Sequence, residues 1–139
     1  MKYWKDETEA IKAFVTLWER VVEDPEFIEG MKKVNQLILF DYTEDGPNCS
    51  FYVDARNGAR IVSAGKPSEQ PDLTMSLSAD NAHLSWANKL NPVLAITWGQ
   101  IRVKGSAVGL LKLAPKLKKV ALVYEQVLKD LGWEDKLAK

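Results

Sequence analysis

The sequence predicts an α+β fold of two layers, in which a mainly antiparallel five-stranded sheet is covered by helices. Apolar residues recur at helical spacing near both ends of the chain, and short segments with strand-like alternation lie between them. These strand segments are mostly consecutive and joined by turns, which favours antiparallel pairing, and a sheet with one apolar face needs a helical cover. With 139 residues, 46% of them hydrophobic, the chain suits a single domain over residues 1–139.

The first two elements are predicted to be helices. Asp6 followed by Glu9 is typical of a capping box, and apolar residues at helical spacing then predict a helix from about residue 7 to 23. Asp24-Pro25 predicts a stop and a new start, because Asp caps a helix and Pro suits its first turn. The second helix is expected to end near residue 33.

Three meandering strands should follow, over VNQLILFDY (34–42), SFYVDA (50–55) and ARIVSA (59–64). Asn57-Gly58 predicts a tight hairpin turn between the second and third strands. A loop with two prolines leads to DLTMSLS (72–78), whose alternating Leu73, Met75 and Leu77 predict a strand buried on one side.

The C-terminal half is predicted to alternate short helices with one strand. Ser78 is expected to cap a helix to about residue 89, and Asn91-Pro92 to open another. The segment QIRVK (100–104) predicts the fifth strand, with Ile101 and Val103 facing inward.

Two more helices complete the prediction. Ser106 is expected to cap the first of them, and Pro115 to break it or to restart it as the last helix. The last helix should run to Leu131, with Gly132 as its stop.

Charge is unevenly distributed although the formal net charge is zero. Residues 1–80 carry a net charge of −6, whereas residues 81–124 contain seven basic and no acidic residues. Such asymmetry favours an anionic partner for one face. The alternative is that acidic residues elsewhere neutralise the basic segment in the fold.

Several kinds of chemistry are disfavoured by composition. His83 is the only histidine and Cys49 the only cysteine, so no disulfide forms within the chain and the pair cannot supply a zinc site. We therefore expect no catalytic residue, no cofactor and no metal. Nucleic acid is disfavoured because the aromatic residues of the basic segment do not alternate with its charges.

The helical segment after Gly105 is unusually apolar for a surface helix. One interpretation is a helix buried on most sides, and the other is a face that lines a ligand cavity. Gly105 and Gly109 lie four residues apart, which gives one smooth helix edge that allows close packing or leaves room for a guest.

DLTMSLSADNAH and WGQIRVKGSAVGLLKL, together with an LNP segment between them, resemble the sterol carrier protein-2 family in its sterol-transfer domain. The similarity covers about residues 72–113, and the predicted element order agrees over the whole chain. Many relatives have Asp where this chain has Ser106, and either residue caps a helix. The resemblance implies a hydrophobic tunnel between the sheet and the C-terminal helices that binds sterols, fatty acids or fatty acyl-CoA without catalysis.

The resemblance directs attention to apolar residues as tunnel-lining candidates, each of which has plain core packing as its alternative. These candidates are Met75, Leu84, Trp86, Leu94, Trp98, Ile101, Val103, Val108, Leu111, Leu117, Val120 and Tyr124. The candidates for contact with an anionic headgroup or membrane surface are Arg102, Lys104, Lys112, Lys116 and Lys119.

The expected function is non-enzymatic lipid binding or transfer. The expected partners are a small-molecule lipid and, through transient contact, an anionic membrane surface. No nucleic acid partner is expected. The alternative is an accessory module that presents lipid-like substrates to a partner enzyme of unknown identity. The N-terminal residues lack a signal peptide's apolar core, and the chain does not end in Ser-Lys-Leu, so a cytoplasmic location is expected.

Overall fold

A computed structural model describes residues 1–138; Lys139, part of the ending considered above, lies outside it. The predicted α+β class is confirmed, with a five-stranded sheet and helices on its inner face. The helices are α1 (Glu7–Val21), α2 (Pro25–Val34), α3 (Ala79–Trp86), α4 (Pro92–Thr97), α5 (Val108–Leu111) and α6 (Leu117–Asp130). The strands are β1 (Leu37–Asp41), β2 (Ser50–Asp54), β3 (Ile61–Ala64), β4 (Leu73–Ser76) and β5 (Arg102–Gly105).

The strand order is β3-β2-β1-β4-β5, and all neighbours are antiparallel except the parallel pair of β1 and β4. Asp72 joins the starts of these two strands. Its backbone N–H donates to the Leu37 carbonyl over 2.9 Å, and its carboxylate accepts from the Leu37 N–H over 2.8 Å. The two strands therefore begin side by side and run in the same direction.

The inner face of the sheet carries the core. Phe40 of β1 stacks on Phe51 of β2 with ring centroids 4.8 Å apart, and Phe14 and Trp18 of α1 pack against this pair. The alternation predicted for β4 is confirmed, because all its inward residues are buried. On β5 the inward Val103 is half-buried, whereas its neighbours Arg102 and Lys104 are exposed.

Side-chain caps begin the first four helices where the sequence predicts them. The Asp6 carboxylate accepts from the Glu9 N–H over 2.9 Å, while the Glu9 carboxylate accepts from the N–H of Lys5, one residue before the usual partner. The caps at α2, α3 and α4 are Asp24, Ser78 and Asn91.

Two local predictions are wrong in detail near β1 and β2. Helix α2 continues to Val34 and ends with Asn35 in the left-handed conformation (φ 47°), so β1 begins only at Leu37. The Asn57-Gly58 pair does not form a two-residue turn. Both residues have positive φ, but they lie in a 3₁₀ turn within a loop over residues 55–60.

The region before α6 also differs from the prediction. Helix α5 begins after Ala107 without a side-chain cap, and the Ser106 carbonyl instead accepts from Gln36 Nε2 over 3.0 Å. Pro115 lies in a 3₁₀ turn that separates α5 from α6, so the helix is broken. Helix α6 ends at Asp130, and Gly132 follows with φ 79°.

Candidate functional site

A cavity of about 90 Å³ lies between the inner face of the sheet and the helices. Its lining residues come from the sheet and from all six helices. The lining contains no charged side chain from the described residues 1–138. It consists of Trp18, Val21, Phe27, Phe40, Tyr42, Met75, Leu77, Ala82, Ser85, Trp86, Pro92, Ile101, Leu110, Leu111, Leu113, Ala114, Leu117 and Val120.

The floor of the cavity is aromatic. Phe40 and Met75 are partners across the parallel pair of β1 and β4, and both side chains face the helices. Trp18 of α1 packs on Phe40 with ring centroids 5.4 Å apart, and Trp86 of α3 meets both rings edge-on at 5.7 Å. Two helices and two strands thus fix this end of the cavity.

The wall opposite the sheet is closer to solvent. Phe40 and Ile101 on the sheet side are 2% and 4% exposed, whereas Leu111 and Leu117 on the helical side are only half-buried. The most accessible wall is therefore the segment over residues 108–116, which contains α5 and the following turn.

Contacts with α2 hold this segment in place. Leu113 packs so closely on Gly30 that a Cβ there would come within 2.6 Å of Leu113 Cδ2. The Lys116 ammonium donates to the Glu26 carbonyl and lies over the Phe27 ring. The backbone hydrogen bonds of this segment are local in sequence. Their acceptors are carbonyls of residues 107–113, and their donors are the N–H groups of Leu111, Lys112, Leu113 and Lys116. Displacing the segment would therefore break side-chain contacts but leave its own backbone bonds intact.

Four polar atoms of the lining residues are buried without a protein hydrogen-bond partner. They are Trp18 Nε1, Tyr42 OH, Ser85 Oγ and Trp86 Nε1. Burial raises the pKa of Tyr42 well above its usual range, and the nearby Trp86 N–H lowers it only in part. Unpaired buried groups destabilise a fold by about 1–3 kcal/mol each.

Cys49 and His83 lie outside the lining. Burial, together with the carboxylates of Asp45, Glu7 and Asp41, raises the pKa of the Cys49 thiol to about 12. The thiol therefore stays protonated at neutral pH.

His83 is 1% exposed, and burial lowers its pKa to about 4. Its Nε2 lies 3.2 Å from the Lys136 carbonyl, which can only accept, so the proton is on Nε2. Nδ1 then accepts from the Tyr124 hydroxyl over 2.7 Å. Both ring nitrogens are occupied, so His83 is placed as a structural group.

Half of the predicted tunnel-lining residues line this cavity, and their contact with lipid remains a prediction. These six are Met75, Trp86, Ile101, Leu111, Leu117 and Val120. The other six lie outside the cavity wall as it stands. They are Leu84, Leu94, Trp98, Val103, Val108 and Tyr124.

The residues outside the wall differ in their surroundings. Leu94, Trp98 and Val108 are 48%, 72% and 62% exposed, because they lie on the outer side of short helices or at their ends. Tyr124 is fully buried in the core against His83, and Val103 packs at the sheet's edge strand. Apolar character alone could not separate these environments.

Residues of α1 and α2 were missed as lining residues. The sequence directed attention to the C-terminal helices, yet Trp18, Val21 and Phe27 contribute to the wall. The signal available was that Trp18 and Val21 lie on the apolar side of α1. Nothing in their spacing showed that this side meets a cavity as well as the sheet.

The predicted basic residues are dispersed, and acidic residues neutralise some of them. Arg102 lies 3.6 Å from Glu44, and Lys119 lies 3.9 Å from Asp24 and 3.8 Å from Glu26. Among the ion pairs of residues 1–138 none involves Lys104 or Lys112. The break at Pro115 means that Lys112, Lys116 and Lys119 do not share one continuous helix.

The glycine edge is used for close packing. A Cβ at Gly105, which has φ 97°, would come within 2.2 Å of the Asp72 carbonyl oxygen. A Cβ at Gly109 would lie 3.5 Å from the Val34 Cα of α2. Gly109 thus lies against a neighbouring backbone and does not line the cavity, and room for a guest at this edge stays a prediction.

No helix within the described residues is long and apolar enough to cross a bilayer. No cluster of three or more His, Cys, Asp or Glu side chains in this part of the chain is arranged to hold a metal ion.

An uncharged cavity between a sheet and its covering helices is typical of folds that bind small apolar ligands. Residues 15–120 match the SCP-2 sterol transfer family, and the chain belongs to that family. Human hydroxysteroid dehydrogenase-like protein 2 is 30% identical over 102 residues, which is 73% of this chain and 23% of that protein. The chain thus matches less than a quarter of the length of that relative.

Solved structures share the fold. The sterol carrier protein domain 2 of Helicoverpa armigera is 24% identical with a TM-score of 0.59, covering 76% of this chain and 82% of that one. Sterol carrier protein-2 of Aedes aegypti, in complex with the C16 fatty acid palmitate, is 15% identical with a TM-score of 0.57, covering 82% and 96%.

Proposed function

We propose that the protein binds the hydrocarbon part of a lipid in the cavity between the sheet and its helices, without chemical conversion of the lipid. The observation that carries this proposal is a lining of eighteen residues, none of them charged, in a chain of the sterol transfer family. An apolar lining binds hydrocarbon by releasing water from both surfaces.

The cavity must enlarge to admit such a ligand. Its volume of about 90 Å³ is below the ~300–1,000 Å³ typical of small-molecule sites. The wall over residues 108–116 is the part that can move, since it is half-exposed and its backbone hydrogen bonds are local. Ligand binding therefore includes movement of this segment away from α2.

Long-chain fatty acids, fatty acyl-CoA and sterols are the proposed ligands. The family is described by sterol transfer, and a related structure holds palmitate. Transfer would also require contact with a membrane. We place that contact at α4, where Val93, Leu94 and Trp98 are exposed, and Lys118 shares a groove with Val93.

A second candidate function is presentation of a lipid to an enzyme partner. It is favoured by one observation: the human relative matches over only 23% of its own length, so its matching region is joined to further sequence in a dehydrogenase-like protein. A stable enzyme complex recovered with the protein from its own host would support this candidate. Recovery of lipid with the protein alone would favour simple binding.

Thermal unfolding with and without lipid tests the binding proposal. Palmitic acid and 1-hexadecanol should each raise the Tm, because a ligand that binds only the folded state stabilises it. Leu117→Trp should reduce the shift by filling the cavity. Leu122→Trp is the matched control, since Leu122 is on the same helix but 63% exposed. Equal shifts in both variants, or no shift in the wild type, would reject the proposal.

A further inference from the structure

We propose that the cavity recognises an uncharged oxygen of its lipid, a hydroxyl or carbonyl, through Trp18, Tyr42, Ser85 and Trp86. The lipid would then bind with its polar end inward, towards the sheet. This inference rests on the proposed lipid binding and specifies which polar group the four residues accept.

The first observation is where unpaired polar atoms occur. Six buried side-chain nitrogen or oxygen atoms within residues 1–138 lack a protein partner, and four of them belong to residues that line the cavity. The other two, Trp4 Nε1 and Gln36 Oε1, belong to residues outside it. Since a fold retains few such groups, their concentration around one cavity indicates a ligand that completes them.

The second observation is that these side chains lie together. The rings of Trp18 and Trp86 are 5.7 Å apart, and Ser85 precedes Trp86 in α3. Trp18 and Tyr42 are 4% and 0% exposed, whereas Ser85 and Trp86 are half-buried residues whose polar atoms are nevertheless buried. A lipid whose polar end reached these four side chains would place its hydrocarbon chain against the apolar wall.

The chemistry of the cluster selects an uncharged oxygen. Indole N–H groups only donate, whereas the hydroxyls of Tyr42 and Ser85 can donate or accept. A lipid hydroxyl could accept from an indole and donate to one of these oxygens. A carboxylate is disfavoured at this cluster because no cationic side chain lines the cavity in the described chain, so a fatty acid would bind with its carboxylate towards solvent. A plain hydrocarbon would leave all four groups unpaired.

NMR of the five indole N–H groups tests the proposal on the whole chain, with 1-hexadecanol and hexadecane as probes delivered from cyclodextrin. The indole signals of Trp18 and Trp86 should move downfield with the alcohol and much less with the alkane. Trp4 and Trp133, which lie outside the lining, serve as internal controls. Movement of the Met75 methyl signal reports that either probe, the alcohol or the alkane, has entered the cavity.

The outcomes separate this inference from the proposed function. If the alcohol shifts the Met75 signal but neither indole signal, the lipid binds but the proposal that its polar end points inward is overturned. If it shifts none of the three, lipid binding itself fails. Indole shifts of equal size with alcohol and alkane would also overturn the inference, because they would report repacking alone.

Paired variants provide a second measurement. Tyr42→Phe combined with Ser85→Ala should keep or raise the Tm, since it removes unpaired groups, and should weaken hexadecanol about fivefold relative to hexadecane. Tyr124→Phe is the control: it removes a hydroxyl bonded to His83 outside the cavity, so it should lower the Tm and keep the preference. An unchanged preference in the double variant means that internal water completes the cluster, and overturns the inference.

Discussion

The Tyr124 hydroxyl donates a 2.7 Å hydrogen bond to Nδ1 of His83, which links α6 to α3. The other ring nitrogen donates to the Lys136 carbonyl, so the imidazole is neutral and clamps the C-terminal segment to the core. Lys136 extends the clamp, because its ammonium lies 2.8 Å from the Glu9 carboxylate and donates to the Tyr3 carbonyl over 2.7 Å. The N- and C-terminal segments are therefore held by one polar network.

His83 should make stability depend on pH below neutrality. Its pKa is lowered from about 6.5 to about 4 by burial, with smaller effects from the Lys136 carbonyl, Lys89 and Asp80. The unfolded chain therefore binds the proton first, and stability is fully present above pH 6.5 and lost as pH falls towards 4. We expect a loss of about 2 kcal/mol between pH 7 and pH 5, measured by urea unfolding.

The control uses the fact that His83 is the only histidine. His83→Gln should be less stable at pH 7, because the Tyr124 hydroxyl loses its acceptor, but its stability should change little down to pH 5. Parallel decline of the variant and the wild type would show that carboxylates cause the dependence instead.

A matched pair of glycine substitutions should separate cavity effects from packing effects. Gly30→Ala places a Cβ 2.6 Å from Leu113 Cδ2, so this flexible side chain must shift within the cavity wall. We expect weaker palmitic acid binding in calorimetry. Gly109→Ala meets Val34 at an ordinary 3.5 Å and should leave affinity unchanged.

A larger side chain at Gly109 should affect stability alone. Gly109→Leu would overpack α5 against α2 and destabilise the fold by about 1–3 kcal/mol. Reduced lipid affinity in Gly109→Ala, at unchanged stability, would place this position on the ligand path and contradict the structure.

The thiol of Cys49 should be unreactive in the native protein. It is fully buried and its pKa is about 12, so little thiolate exists and reagents cannot reach it. Labelling with a disulfide reagent at pH 8 should be slow, become rapid in denaturant, and slow further when a ligand stabilises the fold. Rapid stoichiometric labelling of the native protein would show that the β2 end of the sheet opens locally.

Membrane contact should depend on α4 more than on the predicted basic residues. Trp98 is 72% exposed, and Trp98→Ser should weaken binding to anionic vesicles in sedimentation. Ile61→Ser is the control, because Ile61 is 50% exposed on the opposite edge strand.

The electrostatic part of membrane contact has its own comparison. Lys112→Glu should reduce binding to anionic vesicles more than about fivefold, because it replaces an exposed positive charge by a negative one. Lys104→Glu, on the outer face of the sheet, should have less effect. Equal binding of wild type to anionic and neutral vesicles would reject an electrostatic role for both.

Local chemistry made much of the fold predictable. Caps at Asp6 and Ser78 place helix starts because their side chains accept from N–H groups three residues further on. The alternation of β4 predicted that Leu73 and Met75 face the core, because successive side chains of a strand point to opposite faces. The parallel pairing of β1 with β4 was not predicted, since it depends on Asp72 reaching Leu37 across 35 residues.

The cavity was only partly predictable. Met75 and Leu117 followed from apolar character next to the recognised motifs, but so did Trp98, which is exposed. Trp18 contributes to the cavity because α1 packs over Phe40, and that contact is a property of the assembled layers. Spacing within a segment tells which side is apolar but not what it meets.

The most direct test of lipid binding in the cavity is NMR of the three methionine methyl groups with a protonated lipid bound. Met75 lines the cavity, Met31 is buried outside its lining, and Met1 is 46% exposed. We predict contacts between the chain protons of 1-hexadecanol or palmitic acid and the Met75 methyl, and none with Met1 or Met31. Lipid contacts to Met1 or Met31 without Met75, or bound lipid with no methionine contact, would contradict the account.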